Sequence, residues 1–333
     1  MREVFVTTPT KPHHRALLEQ AAAGRCRLTF GTDGIERADA VIGAVEPEML
    51  QKIPRLAWYH LVWAGVDQVR EDMLPPGCRL SSGSGAYGAM IAEHMLACIL
   101  SFCRQLPHYA ALQRQHRWDP TWQESTLEGK TVVILGTGDI GAALARRLRG
   151  FDCTVIGLCR RPRPITGFDQ VSSIEELDAL LTQADVVACA LPHTEKTAGL
   201  LDRRRLFLLK PGAILVNCGR GSLIDLAALS EAMDAVPLLG CALDVTSPEP
   251  LPPESPLWGM ERVIVTPHVS GASFGHLPET EDKIYRLAAD NLERYLEDKP
   301  LKNLVDFSTG YRILLGSGCS CEIGCRGAFH MRP

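Results

Sequence analysis

Short apolar runs alternate with amphipathic stretches from about residue 130 onward. Each run is bounded by turn residues, which is typical of strands buried on both faces of a parallel sheet. The predicted strands are Thr131–Leu135, Thr154–Leu158, Asp185–Ala190, Ala213–Asn217, Leu239–Leu243 and Val263–Thr266. Strands that alternate with helices in this way predict a doubly wound α/β sheet.

The stretches between these strands carry helix start and stop patterns. Asp139–Arg149 places Ile140, Leu144 and Leu148 on one face, and Gly150 ends it. Two further helices have predicted N-terminal caps. A helix over Ile174–Thr182 is capped by Ser172 with Glu175 or by Ser173 with Glu176. A helix over Leu226–Met233 is capped by Asp225.

The first hundred residues repeat the pattern more weakly and predict a second, smaller α/β domain. Its strands are Glu3–Val6, Arg27–Phe30, Ala40–Gly43 and Leu56–Leu61. A helix over His13–Ala23 follows the first strand, and a long helix from about Ala86 to Leu106 joins the domains. A last long helix, Glu279–Leu296, would let the chain return to the first domain.

The C-terminal residues 311–333 are predicted to be a disordered tail, because helix and strand patterns stop by about Ser308. Cys319, Cys321, Cys325 and His330 lie there, but their spacing is not typical of a zinc site, so we expect no metal. The other nine cysteines are scattered through apolar stretches, as buried free thiols of a cytoplasmic protein would be.

Charge and hydropathy exclude several classes of protein. The chain has 35 basic and 39 acidic residues and a formal net charge of -4, which favours neither nucleic acid nor an anionic membrane as a partner. No apolar run approaches the roughly 18 residues of a membrane-spanning helix. The N-terminus has the pattern of a strand and a turn and not of a signal peptide, so we expect a cytoplasmic location.

A glycine-rich loop follows the first strand of the larger domain and opens a helix. Its sequence is Gly136-Thr137-Gly138-Asp139-Ile140-Gly141. In this context the three glycines permit a tight turn, close approach of a pyrophosphate and close helix packing, which predicts a nicotinamide dinucleotide site. An ordinary glycine-rich turn between strand and helix is the alternative.

The residues after the second strand of this domain predict which dinucleotide binds. An NAD enzyme usually places Asp or Glu there, whereas this chain has Arg160 and Arg161. Guanidinium groups match a 2′-phosphate in charge and geometry, so we expect NADP(H) to be preferred over NAD(H). A solvated basic loop without such a role is the alternative.

Three side chains that could bind or protonate a substrate follow later strands, at the carboxyl edge where open α/β sheets bind ligands. Arg220 could bind a substrate carboxylate, and His268 could donate a proton to a carbonyl oxygen. Glu249 could hold the imidazolium. Each alone is more often structural, but together they predict reduction of a 2-oxo acid.

These motifs, with Leu191–Thr197, Asn217–Gly221, Asp244–Pro250 and Thr266–Gly271, resemble the D-isomer-specific 2-hydroxyacid dehydrogenases over about residues 40–310. The resemblance implies two Rossmann-like domains, with the cofactor domain inserted into a flavodoxin-like substrate domain. The implied division is 1–98 substrate domain, 99–275 NAD(P)-binding domain and 276–310 return to the substrate domain.

The resemblance also assigns site residues. It gives catalysis to Arg220, Glu249 and His268, and carboxylate binding to a loop containing Trp63, Ala64 and Gly65. Besides the glycine loop, Arg160 and Arg161, the implied cofactor-binding residues are Leu191, Pro192, Thr197, Cys218, Gly219, Asp244 and Gly271. Trp63 departs from the family, which has smaller residues there, and His94 is expected to be structural.

The resemblance implies a homodimer that reduces a glyoxylate- or hydroxypyruvate-like acid to a D-2-hydroxy acid, nearest to the glyoxylate/hydroxypyruvate reductases. The alternative is a dinucleotide-sensing binding protein of the corepressor kind, with little turnover. Turnover of NADPH with a panel of 2-oxo acids distinguishes the two.

Overall fold

The computed structural model describes residues 1–312, which form two parallel sheets. The first sheet has the order β2-β1-β3-β4-β5, a flavodoxin-like arrangement. Its strands are β1 (Arg2–Val6), β2 (Cys26–Phe30), β3 (Ala40–Ile42), β4 (Trp58–Leu61) and β5 (Arg79–Ser82).

The second sheet has seven strands in the order β12-β11-β10-β9-β6-β7-β8, and all of them are parallel. The order reverses between β6 and β9, which is the switch point where Rossmann-type sheets bind ligands. The strands are β6 (Thr131–Leu135), β7 (Thr154–Cys159), β8 (Gln170–Ser173), β9 (Val186–Cys189), β10 (Ile214–Asn217), β11 (Gly240–Leu243) and β12 (Val263–Val265).

Helices cover both sheets, and a helix from the start of the chain packs on the last helix. The α-helices are α1 (Pro12–Ala22), α2 (Pro47–Leu50), α3 (Gly88–Cys103), α4 (Leu106–Arg114), α5 (Asp139–Leu148), α6 (Leu177–Leu181), α7 (Arg203–Leu206), α8 (Leu226–Ala235) and α9 (Pro278–Leu296). Helix α9 packs on α1, so the chain returns to the first sheet after leaving the second. Helix α3 packs on α5 and β10 and connects the sheets. The α/β fold class predicted from sequence is therefore confirmed.

Two predicted helix caps are present as proposed. The Ser173 side chain accepts a hydrogen bond from Glu175 N, and the Glu176 carboxylate accepts one from Ser173 N. Asp225 accepts hydrogen bonds from the first turn of α8, at 3.1 Å from Ala227 N and 3.1 Å from Ala228 N.

The long helix predicted from about Ala86 to Leu106 is present as α3, Gly88–Cys103, whose ends lie within three residues of the prediction. Helix α4, which was not predicted, follows α3 after a bend of 67°. Gln105 has a φ of +55°, which a right-handed helix does not allow, and Pro107 has no N–H to continue the hydrogen-bond ladder.

Four of the described strands were not predicted. β5 and β8 lie at the edges of their sheets and are rich in polar residues, so the apolar pattern of a central strand is missing. The other two are β13 (Val305–Asp306) and β14 (Tyr311–Arg312), which pair antiparallel with each other, so the predicted tail starts too early. The cysteine cluster and His330 lie outside the described residues.

Within residues 1–312, no single helix is long and apolar enough to cross a membrane; α3 and α4 would pass that test only as a bent pair.

Candidate active site

The glycine loop has the backbone geometry that a dinucleotide needs. Gly136 has a φ of +104°, which disfavours any other residue. A methyl group on Gly141 would overlap the Gly136 carbonyl, whereas one on Gly138 would meet nothing within 4 Å. Open space at Gly138 is what a pyrophosphate requires, and α5 directs its positive N-terminal end to the same place. Ile140, next to Gly141, packs against the core. The loop therefore fits the cofactor.

Asp139 of this loop connects the two sheets. Its Oδ2 accepts hydrogen bonds from Gly85 N at 3.1 Å and from Gly88 N at 2.7 Å, at the start of α3. The carboxylate is thus held by the segment that leaves the first sheet. Thr137 packs against the Gly157 backbone of β7.

The predicted 2′-phosphate residues follow β7 directly. Arg160 and Arg161 are both exposed. The Arg160 guanidinium lies over the ring of Tyr311, with Cζ 3.5 Å from the ring centroid. This contact was not predicted from sequence, because Tyr311 lies in the region that lacked any pattern.

The loops after β9 and β10 bring the next predicted cofactor residues together. Methyl substitution at Gly219 would place a carbon 2.6 Å from the Leu191 carbonyl oxygen, so these backbones are closely apposed. Thr197 is buried and donates its hydroxyl to Pro192 O at 2.7 Å, which holds the loop in shape. Burial raises the pKa of the Cys218 thiol, so Cys218 lines this region as an uncharged group.

Asp244 organises the loop that carries His268. Oδ1 of Asp244 accepts from Thr266 Oγ1 at 2.6 Å and Val269 N at 3.0 Å, and Oδ2 accepts from Ser270 N at 3.0 Å. His268 has a φ of +52°, a costly conformation for a non-glycine residue that these bonds sustain. The Asp244 carboxylate is therefore committed to holding the histidine backbone.

Helix α3 contacts the same loop, which carries His268. The Thr266 hydroxyl lies 3.2 Å from His94 Nε2. Because the hydroxyl proton is donated to Asp244, the hydroxyl oxygen accepts the hydrogen bond from His94. A methyl group on Gly271 would lie at ordinary van der Waals distance from Ile91 of α3, so the loop and the helix are close neighbours. His94 has a structural contact, in line with the expectation from sequence.

His268 and Glu249 form a hydrogen-bonded pair. Nδ1 of His268 lies 3.0 Å from Glu249 Oε2, and Glu249 Oε1 accepts from Thr246 N at 3.0 Å. Since the carboxylate fixes Nδ1 as the protonated donor, Nε2 is the nitrogen left for a ligand. Among the described residues, no group makes a hydrogen bond to that Nε2. The geometry suits a general acid whose orientation is set by its carboxylate partner.

Arg220 is anchored to the first sheet by an ion pair that was not predicted. Its Nε and Nη2 donate to Asp67 Oδ1 at 3.0 and 2.8 Å, and Nη1 donates to Gly219 O at 2.9 Å. Burial alone would raise the pKa of Asp67, but the hydrogen bonds and charge of Arg220 outweigh it and lower that pKa, with a smaller contribution from His193. Within residues 1–312, three of the five guanidinium N–H groups are thus used, leaving one on each terminal nitrogen.

The loop predicted to bind a carboxylate lies directly against this guanidinium. A methyl group on Gly65 would overlap Nη2 of Arg220, so only glycine permits this approach. Within residues 1–312, the backbone N–H groups of Ala64 and Gly65 donate to no acceptor. Trp63 is half-buried, with its ring edge-on to Phe274 at 6.4 Å between centroids. Free amides and free guanidinium N–H groups therefore meet at Gly65.

One group in the described part of the chain has the spacing of metal ligands, namely His13, His14 and Asp282. Nε2 of each histidine lies 3.0 Å from Asp282 Oδ1. Lys11 N donates to Nδ1 of His14, which leaves the ring proton on Nε2 and directs it at the carboxylate. A metal would need that nitrogen bare, so the arrangement favours a hydrogen-bonded clamp between α1 and α9.

A histidine–carboxylate pair and an anchored arginine at the carboxyl edge of a Rossmann-type sheet define the class as a nicotinamide-dependent oxidoreductase. Residues 96–270 match the family model described as "D-isomer specific 2-hydroxyacid dehydrogenase, NAD binding domain". The chain belongs to this family, and the resemblance stated from sequence is confirmed.

Similar proteins include both reductases and dehydrogenases. The chain is 32% identical over 278 residues to glyoxylate/hydroxypyruvate reductase B of Pectobacterium carotovorum, covering 81% of this chain and 86% of the relative. It is also 32% identical over 282 residues to D-3-phosphoglycerate dehydrogenase of Mycobacterium tuberculosis, covering 83% of this chain. The chain spans about half of that relative, 52% of its length.

A crystal structure of a D-isomer specific 2-hydroxyacid dehydrogenase from Xanthobacter autotrophicus, in complex with NADPH and MES, has the same fold. It superposes with a TM-score of 0.80 at 29% sequence identity and covers 93% of this chain and 99% of that one. The overall architecture of the two proteins is therefore shared.

Proposed function

We propose that this protein uses NADPH to reduce a small 2-oxo acid, of the glyoxylate or hydroxypyruvate class, to a D-2-hydroxy acid. The observation that carries the proposal is the meeting of Arg220 with the free amides of Ala64 and Gly65. A guanidinium fork with adjacent backbone amides is a site for a carboxylate. The relative from Pectobacterium, named a glyoxylate/hydroxypyruvate reductase, supports this class of substrate.

The chemistry of this chain's own residues follows from their hydrogen bonds. Arg220 and the loop amides hold the substrate carboxylate. His268 donates the Nε2 proton to the carbonyl oxygen, and Glu249 stabilises the imidazolium before that transfer through the Nδ1 hydrogen bond. The bound nicotinamide supplies the hydride. Because Thr246 N holds the other oxygen of Glu249, the pair keeps its orientation throughout.

The cofactor is held by the glycine loop and by residues on the neighbouring loops. Gly136 to Gly141 cradle the pyrophosphate, and Arg160 and Arg161 bind the 2′-phosphate. The residues that complete the proposed site are Leu191, Pro192, Thr197, Cys218, Gly219, Asp244 and Gly271. Three of these act by shaping the loops: Gly219 by close approach, Asp244 by its three hydrogen bonds and Gly271 by its place beside α3.

The size of the substrate is limited by Trp63. Trp63 lies two positions before Gly65 on the proposed carboxylate loop, and its bulky ring packs against Phe274. This favours small acids over large ones.

The deciding experiment is a substrate screen, run in parallel with NADPH and NADH. We expect the highest kcat/KM with a small 2-oxo acid and NADPH. Equal or higher kcat/KM with NADH would contradict the cofactor assignment. Tight NADPH binding without turnover of any acid in the panel would instead favour a dinucleotide-sensing binding protein.

A homodimer is part of the proposal. Trp118 is fully exposed and Trp122 is 84% exposed, on the segment that follows α4. Paired exposed tryptophans are unusual on a free surface and frequent at the centre of interfaces, so a second copy of the chain is the proposed partner. The cytoplasmic location stays a prediction from sequence.

A further inference from the structure

The C-terminal hairpin of residues 305–312 crosses from the first sheet to the second. Its first strand, β13, packs beside β5, and Leu304 forms a bridge with Ser81. Its second strand, β14, carries Tyr311 to Arg160. One short hairpin therefore contacts both halves of the molecule.

The turn of this hairpin is held firmly by Asp306. The carboxylate accepts hydrogen bonds from Ser308 N at 3.0 Å and from Thr309 Oγ1 at 3.0 Å, and Gly310 N donates to Asp306 O at 2.9 Å. Gly310 has a φ of +67°, and a methyl group there would lie 2.9 Å from Thr194 Cγ2. The turn thus lies against the loop after β9, where we propose that the cofactor binds.

Tyr311 covers one face of the Arg160 guanidinium. With Cζ 3.5 Å from the ring centroid, the two groups are in direct stacking contact. A stacked guanidinium keeps its N–H edge for an anion and its second face for another planar ring. An exposed arginine without such a partner would have to be ordered each time an anion binds.

We infer that Tyr311 is a cofactor-specificity residue, which holds Arg160 in place to bind the 2′-phosphate of NADPH. The inference rests on the proposed preference for NADP. It extends the cofactor site from the second sheet to a hairpin anchored on the first, so the site includes residues that follow α9. Tyr311 acts through Arg160 and takes no part in hydride transfer.

The test compares Tyr311→Ala, Tyr311→Phe and Arg160→Ala by direct binding. The ligands are NADPH, NADH and the pair 2′,5′-ADP and 5′-AMP, which differ in the 2′-phosphate. We expect Tyr311→Ala to raise the Kd for NADPH and 2′,5′-ADP by about threefold to tenfold, the usual worth of a cation–π contact, and to leave NADH and 5′-AMP within about twofold. Tyr311→Phe keeps the ring and should bind like the wild type.

The outcomes separate the inference from the proposed function. If Arg160→Ala raises the Kd for 2′,5′-ADP but Tyr311→Ala does not, the role of Tyr311 is refuted while the NADP assignment stands. If neither variant changes it, the assignment of Arg160 to the 2′-phosphate fails as well. Tighter NADPH binding in Tyr311→Ala would make the tyrosine a competitor of the cofactor and would also overturn the inference. Arg163→Ala, an exposed arginine of the same loop, is the control for loss of charge alone.

Discussion

Arg220→Lys tests the carboxylate site most sharply, because it keeps the charge and removes the fork. In the wild type, Asp67 takes two N–H groups of Arg220 and Gly219 takes one, which leaves a pair, among the contacts of residues 1–312, for the proposed substrate carboxylate. A lysine ammonium has three N–H groups on one nitrogen, and the same two acceptors compete for them. At most one is left, so a bidentate contact becomes a single hydrogen bond.

The expected loss of kcat/KM follows from the free energy of the hydrogen bond that is removed. A hydrogen bond to a charged group contributes about 1.5–3 kcal/mol, which corresponds to about a 10- to 150-fold drop in kcat/KM for the best acid in the panel. If the contact is equally strong in the ground state, the loss falls on KM; if it strengthens as the carbonyl reacts, kcat falls too.

Steady-state kinetics with saturating NADPH measure this loss, together with the Kd for NADPH in each variant. Arg203→Lys is the matched control, since Arg203 pairs with Glu231 at 2.8 Å on an exposed surface of the second sheet. A kcat/KM for Arg220→Lys within about threefold of the wild type, with NADPH binding intact, would refute the role of Arg220 as the carboxylate anchor.

Other changes have expected outcomes of their own. His268→Ala should lower kcat by about 10²–10⁴-fold, the usual worth of a positioned acid, with NADPH affinity unchanged; a variant with full kcat would remove His268 from the mechanism. Trp118→Glu with Trp122→Glu should yield a monomer by light scattering after gel filtration, and an unchanged mass would exclude this segment from the interface. Burial lowers the pKa of His60 to about 3. Below about pH 6.5, His60 is therefore protonated in the unfolded state but stays neutral in the folded state. The free energy of unfolding should consequently fall by about 2 kcal/mol between about pH 7 and pH 5. Urea titrations should show this slope reduced in His60→Gln, and an equal slope in that variant would show that other groups cause it.

The parts of the site that were predictable lie at one edge of one sheet. Parallel strands place their carboxyl ends together, so Arg220, Glu249 and His268 could be grouped from the order of strands alone. The hydrogen bond between His268 and Glu249 agrees with that reasoning. The apolar pattern carries this information because each strand is buried on both faces.

The contacts between the sheets could not be predicted in the same way. Asp67 and Arg220 are 153 positions apart, and no local pattern links them. The break between α3 and α4 depends on the backbone of Gln105, whose left-handed conformation leaves no trace in the hydrophobic periodicity. Tyr311 follows the last helix, where periodicity ends.

Charge at the proposed carboxylate site determines how a substrate carboxylate would be held. Asp67 already balances the charge of Arg220, so a substrate carboxylate brings the group to a net charge of -1. The extra negative charge must be stabilised by hydrogen-bond donors that are not already paired with a carboxylate. Within residues 1–312, the amides of Ala64 and Gly65 are such donors. They belong to the first sheet, whereas His268 belongs to the second. In the proposed function a carboxylate is therefore held fully only when both sheets contribute, and the hydrogen bonds from Gly85 N and Gly88 N to Asp139 join the predicted cofactor loop to the segment that leaves the first sheet.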